Sequence, residues 1–245
     1  MIKYAACCAI YLCDNGGDYH MGCASHPTAW WEMTSAVLFN AFGTVIKLKR
    51  RAYPYRALLR LGAKQGRISR AEDLRQLMTF NGSIEDASEH LGIRMTAGEL
   101  GFIQEALDQE LASCDPAPDA IEAIEMLRAA GIRTGICSNL AYAYGSTVRR
   151  QLPMVDGFAF SYELGVMKPD PLIYQILCRS LGVEPGRDWY RGGIASVLMI
   201  GDSPRCDRDG PNAIGIPGFL LRQNASGPFK NLVQFAATVL SQVRT

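Results

Sequence analysis

Apolar runs of strand length alternate along this chain with longer stretches of helical periodicity. The first run is Ala36-Val-Leu-Phe39, closed by a polar tip at Asn40, Gly43 and Thr44. Ile132 to Cys137 ends at Ser138-Asn139, and Phe158-Ala-Phe-Ser161 is a shorter run of the same kind. Val197-Leu-Met-Ile-Gly201 is closed by Asp202-Ser-Pro, and Gly218 to Leu221 is the last. Continuous apolar runs predict strands buried on both faces. Between them, Ile121, Ile124, Met126 and Leu127 give the helix Asp119 to Ala130 an apolar face, and Gly131 ends it. Further helices are predicted from Tyr144 to Leu152, from Asp207 to Ile214 and from Leu232 to Val243. Another opens on Asp170 as cap with Pro171 at its first position. Strands alternating with helices imply an α/β protein with a parallel sheet covered on both faces. Polar residues at the carboxyl ends of such strands are where this architecture places its chemistry.

The region between the first strand and Asp115 departs from that alternation. A basic segment, Lys47 to Arg51, leads into four helical patterns with no convincing strand. Tyr55 to Lys64 is the first. Ser69 ahead of Glu72 reads as a capping box for the second, Ser83 caps a third running toward Leu91, and Thr96 with Glu99 makes a capping box before Leu100 to Leu111. Asp115-Pro-Ala-Pro118 then forms a boundary. The predicted organisation is a core of residues 33–48 and 115–245 with a helical cap, residues 49–114, inserted into it. Residues 1–32 read as a loosely ordered extension. Met33 directly precedes the first strand pattern, and the functional start is placed there.

Hydrophobic residues make up 48% of the 245, enough for a sizeable core. Lys plus Arg number 25 against 24 Asp plus Glu, so no strongly basic face and no nucleic-acid partner are expected. No apolar run is long enough to span a membrane. Four of the eight cysteines lie in the first 23 residues. With His20 and His26 they lack the paired Cys-x-x-Cys spacing of structural zinc sites. Cys114, Cys137, Cys178 and Cys206 are scattered singly and read as reduced thiols in a cytoplasmic protein, with Cys137 in the core.

Four polar strand ends carry the candidate chemistry. Singly each is weak: Ser138 could cap a turn, Lys168 could be a surface lysine, Asp202 and Asp207 could cap a helix, and Phe42 could be plain core. In their order along the chain they are specific. Phe39-Asn-Ala-Phe-Gly-Thr44, Ser138, Lys168 within Met-Lys-Pro-Asp170, and Gly201-Asp-Ser-Pro-Arg-Cys-Asp207 resemble the four motifs of the haloacid dehalogenase (HAD) superfamily of hydrolases. The resemblance covers nearly everything from Met33 onward. It implies a Rossmann-like core with an inserted cap, and hydrolysis of a small-molecule substrate, a phosphate ester above all. It also implies substrate contacts at Phe42, Thr44, Ser138, Asn139 and Lys168, and a Mg²⁺ site at residues 40, 202 and 207.

Two positions depart from the family pattern. The family's nucleophilic aspartate is Asn40 here, and the acid/base aspartate two residues on is Phe42. Phe42 occurs in the dehalogenase-like branch, which works without metal. The acidic pair Asp202 and Asp207 points instead to Mg²⁺ and phosphatase chemistry. An amide has no free charge with which to attack phosphorus, yet its carbonyl can still meet a cation. Three accounts therefore stand open at this point: an engineered trap, a natural binder without turnover, or another group serving as nucleophile.

Overall fold

The computed structural model describes residues 34–186, 197–221 and 229–241. The extension, its cysteines and the proposed start at Met33 lie outside them. Five strands form one sheet, in the order β5-β4-β1-β6-β7. They are β1 (Ala36–Phe39), β4 (Arg133–Ser138), β5 (Gly157–Phe160), β6 (Val197–Gly201) and β7 (Gly218–Leu220), and every pairing is parallel. β1 is central and wholly buried.

Alternation along β1 sorts its side chains between two layers, as the period of a strand requires. Val37 and Phe39 face one cluster, where Ile124 and Leu127 of α5 (Pro118–Ala129), Val148 of α6 (Tyr142–Gln151) and Phe235 of α10 (Leu232–Ser241) pack. Ala36 and Leu38 face the other, filled by Ile173, Tyr174 and Leu177 of α8 (Pro171–Ser180). Cys137 is fully buried in that second layer, and Cys114, Cys137, Cys178 and Cys206 are all free thiols. Among the described residues no helix is long and apolar enough to cross a membrane.

Parallel register sets the height of the strand ends. Phe39 lies level with Ile136 of β4 and Ile200 of β6. Asn40, Ser138 and Asp202 therefore leave the sheet within two residues of one another.

Four helices separate β1 from the rest of the core: α1 (Pro54–Lys64), α2 (Glu72–Thr79), α3 (Ile84–His90) and α4 (Ala97–Ala112). They are flanked by β2 (Ile46–Leu48) and β3 (Cys114–Pro116), which pair as an antiparallel ribbon outside the main sheet. At three residues each, these strands are too short to leave a periodic signal. The ribbon replaces the expected strandless entry to the insertion, and the Asp115-Pro-Ala-Pro118 boundary is partly strand.

The capping boxes of Ser83 with Asp86 and of Thr96 with Glu99 form, and Asp170 caps α8 through the Leu172 N–H. Ser69 does not cap α2. Asp73, in the first turn, instead accepts the N–H of Arg70 from ahead of the helix at 2.9 Å while Arg67 grips its two oxygens at 2.6 and 2.7 Å. The guanidinium holds the Asp73 carboxyl well below its ordinary value, down to about 2. His90 is an exposed residue of α3 and stacks on Phe80. α7 (Ser161–Leu164) is a single turn whose Ser161 hydroxyl donates to Met78 O of α2 at 2.5 Å and accepts the Leu140 N–H at 3.0 Å.

The helix expected from Asp207 begins earlier and is irregular. Pro204–Asp209 makes one π-helical turn, followed by α9 (Gly210–Asn212). Pro211 has no N–H to give the Asp207 carbonyl, which breaks the regular ladder at that point. A side chain on Gly218 would come within 2.4 Å of the Arg208 Cα and 2.5 Å of the Asp207 carbonyl, both backbone atoms. Gly218→Ala should therefore displace the turn that carries Asp207 and cost about 1–3 kcal/mol, read as a lowered urea midpoint. An unchanged midpoint would contradict this packing.

Candidate active site

Asn40 continues the register of β1, its N–H donating to the Ile200 carbonyl at 3.0 Å. Its side chain stands at the junction of the strand ends. The Oδ1 atom accepts from Lys168 Nζ at 3.0 Å and from the Ser138 hydroxyl at 3.4 Å. Nδ2 donates to Asp202 Oδ1 at 2.8 Å and to the Phe42 carbonyl at 2.9 Å. Lys168 fixes this orientation of the amide, because an ammonium has only donors and needs the oxygen toward it.

Lys168 is almost wholly buried and Asp207 completely so. They pair at 2.6 Å, and the second Asp207 oxygen accepts the Ser203 N–H at 2.9 Å. Asn139 clamps the lysine's backbone from both sides, donating to its carbonyl at 3.0 Å and accepting its N–H at 2.7 Å. The structure thus gathers Asn40, Ser138, Lys168, Asp202 and Asp207 into one hydrogen-bonded cluster. Asn139 serves it through the lysine loop. Phe42 turns its ring edge-on to Tyr144 at 5.5 Å. Thr44 is buried, and its hydroxyl has no hydrogen-bond partner among the described residues.

Gly43 is held at φ 82°, a region that a Cβ disfavours, and a Cβ there would sit 2.4 Å from Asp202 Oδ2. Both demands explain glycine at this position. Asp202 keeps exposed surface, yet the protein around its carboxyl and, secondly, the Asp207 carboxylate raise its pKa. Two oxygens, the Phe42 carbonyl and Asp202 Oδ1, converge on the positively polarised amide nitrogen of Asn40. That is the donor set a hard divalent cation takes, so these residues fit Mg²⁺. Asp207 turns its own oxygens to Lys168 and Ser203 instead. Among the described residues no three His, Cys, Asp or Glu side chains converge.

A cavity of about 720 Å³ adjoins the cluster. It meets the site along Phe42, Gly43, Thr44 and Asn139, and its far wall includes Tyr53, Tyr55 and Glu110. Glu110 is buried on the face of α4 that also carries Ile103 and Leu107. It accepts the Ala52 and Tyr53 N–H groups at 2.6 and 2.8 Å and the Tyr144 hydroxyl at 2.7 Å. Burial first, and Glu110 second, push the Tyr144 phenol strongly upward, so it stays protonated. Burial likewise pushes Tyr55 up to about 12. Glu110, the Phe42 carbonyl and Ser203 are parts of this arrangement that the sequence motifs do not mark. Only Glu110 left a signal, a carboxylate on an otherwise apolar helical stripe.

Folding raises the pKa of Asp202, so its ionised form costs stability at neutral pH, and that cost disappears as pH falls through the raised value. Asp202→Asn should raise the Tm at pH 7, with a gain that shrinks toward about pH 4. A lowered Tm at pH 7 would contradict the assigned environment.

The fold has solved counterparts. It is similar to a HAD phosphatase from Thermococcus onnurineus at 20% identity and a TM-score of 0.58, covering 86% of this chain and all of that one. It is similar to 2-haloacid dehalogenase from Pseudomonas syringae pv. tomato DC3000 at 19% identity and 0.55, covering 86% and 99%. An aspartate-to-asparagine mutant of CbbY from Rhodobacter sphaeroides, in complex with xylulose-(1,5)bisphosphate, matches at 19% identity and 0.50, covering 82% and 96%. No curated protein sequence matches. The family description "haloacid dehalogenase-like hydrolase" matches residues 34–215, well over half of the sequence. The chain belongs to the haloacid dehalogenase-like hydrolases.

Proposed function

We propose that the strand-end cluster binds Mg²⁺ and the phosphoryl group of a small phosphate monoester. In this reading the chemistry is hydrolysis through an aspartyl phosphate, and Asn40 preserves binding while blocking that covalent step. The observation that carries it is the two-sided environment of Asn40. One side presents converging oxygens, Phe42 O and Asp202 Oδ1, and the other presents the Lys168 ammonium and the Ser138 hydroxyl. The first side suits a cation and the second an anion.

Mg²⁺ held by Asp202 and the Phe42 carbonyl, the two oxygens that converge beside the Asn40 amide nitrogen, would supply Lewis-acid stabilisation of phosphoryl charge. The chain's own residues do the rest. Lys168 and Ser138 donate to phosphoryl oxygens, stabilising charge where water is scarce. Asp207 holds Lys168 in place by pairing with it at 2.6 Å. Asn40 accepts Lys168 and carries no charge to repel the phosphate. Losing a covalent nucleophile costs on the order of 10⁶ in kcat in other enzymes, about 8 kcal/mol of barrier. The CbbY mutant, an aspartate-to-asparagine change in a protein of similar fold, is in complex with a bisphosphate ester, which is in keeping with phosphate-ester binding by this fold. Helices α1–α4, within residues 49–114, would act as the cap that covers the substrate.

A metal-free dehalogenase is the second reading, favoured by the Phe42–Tyr144 pair, which makes an apolar wall where a phosphatase has a second carboxylate. The two separate in one assay. Asn40→Asp should gain Mg²⁺-dependent release of phosphate from para-nitrophenyl phosphate or a sugar phosphate, by at least about 10³ over the chain as written. Halide release from 2-chloropropionate without metal would favour the dehalogenase. No turnover by the Asp variant on either class, with phosphate-ester binding retained, would make this a non-catalytic binder.

A further inference from the structure

The cavity beside the cluster has chemistry of its own. Its walls are mostly apolar and aromatic, and the stretch from β2 into α1 adds cations to them: Lys47 of β2, Lys49 and Arg51 of the connection, and Arg56 of α1 all line it. Lys49 is engaged with Asp115. Among the described residues no carboxylate ion-pairs with Lys47, Arg51 or Arg56. The only carboxylate in the wall, Glu110, already has its oxygens on two backbone N–H groups and the Tyr144 hydroxyl. The cations therefore face the cavity without a neutralising partner there.

Three further features mark the cavity as built for an occupant. Tyr53 and Leu74 stand at its edge with 43% and 55% of their surface exposed, together at one cavity mouth. Tyr53 also holds a left-handed backbone (φ 55°, ψ 51°), stabilised by its N–H bond to Glu110, and Arg56 lies 4.7 Å over its ring. Backbone strain of this kind persists where the surroundings over-determine it, and it concentrates at binding sites. Inside, the buried Thr44 hydroxyl lacks a partner, an unmet hydrogen bond that a ligand could satisfy.

We propose that this cavity is a second anion subsite, which selects phosphate esters carrying an apolar or aromatic body that ends in another anionic group, a carboxylate or a phosphate. Arg51 and Arg56, with Lys47, hold that distal anion, and Glu110 is a positioning residue that fixes the segment bearing them. The inference rests on the reading of the strand-end cluster as the phosphoryl site, because the cavity meets that cluster at Phe42 to Thr44.

The test is calorimetry on the full chain in Mg²⁺ with phenyl phosphate, 4-carboxyphenyl phosphate, benzene-1,4-bisphosphate and biphenyl-4-carboxylate. The same titrations are run on the Arg51→Gln/Arg56→Gln variant, whose replaced side chains are exposed and whose folding is checked by circular dichroism. At least one doubly anionic ester should bind about tenfold tighter than phenyl phosphate, and that ratio should collapse in the variant. Which of the two esters gains more assigns the distal group as carboxylate or phosphate. Biphenyl-4-carboxylate binding that depends on Arg51 and Arg56, with no binding of phenyl phosphate, would keep the subsite and reject the phosphoryl reading. Equal affinity for all the esters, or a preference that survives in the variant, would overturn the subsite.

Discussion

Everything at this site hangs on one buried cation. Lys168 is almost fully removed from water, and dehydrating an ammonium costs several kcal/mol unless its surroundings replace the lost solvation. Asp207, equally buried, supplies the opposite charge at 2.6 Å, and Asn40 and Asn139 supply the remaining bonds. Each partner arrives from a different element: the end of β1, the end of β4 and the turn after β6. The need to satisfy the lysine therefore ties three strand ends together, and the parallel register brings them to the same level beforehand.

That arrangement explains why an amide at position 40 is compatible with an intact site. Lys168 and Asp207 neutralise each other, so the remaining charge at the junction is that of Asp202. Asn40 bridges the two halves without adding to it, taking the ammonium with its oxygen and the Asp202 carboxylate with its nitrogen. An aspartate there would add a second negative charge facing Asp202, which favours a bound cation between them. The amide nitrogen in part takes a cation's place. The hydrogen-bonded geometry of the strand ends is thus complete with an amide at position 40.

Much of this was legible in the sequence because buried strands with polar tips are hard to disguise. Val197 to Gly201 followed by Asp202, and Ile132 to Cys137 followed by Ser138, announced both the strands and the polar ends that cluster at Asn40. Capping boxes at Ser83 and Thr96 were equally readable, since their chemistry is local. Ser69 misled because a neighbouring ion pair won: Arg67 holds Asp73 where it accepts the Arg70 N–H, and no side chain caps α2. The β2–β3 ribbon was invisible because three residues carry no period. The π-helical turn depends on Pro211 and on the close approach of Gly218, which is distant in sequence. The partnership of Asp207 with Lys168, rather than with Asp202, depends on side-chain direction, which spacing alone does not encode.

The central claim is that converging oxygens at the strand ends form a divalent-cation site in this chain, even with asparagine at position 40. Electron paramagnetic resonance of Mn²⁺ tests it directly, because the signal of the free ion falls as it binds. The account predicts that the chain as written takes up Mn²⁺, more tightly with inorganic phosphate present, and that Asp202→Asn abolishes the uptake. A free-ion signal unchanged by the protein, or uptake indifferent to Asp202→Asn, would contradict it.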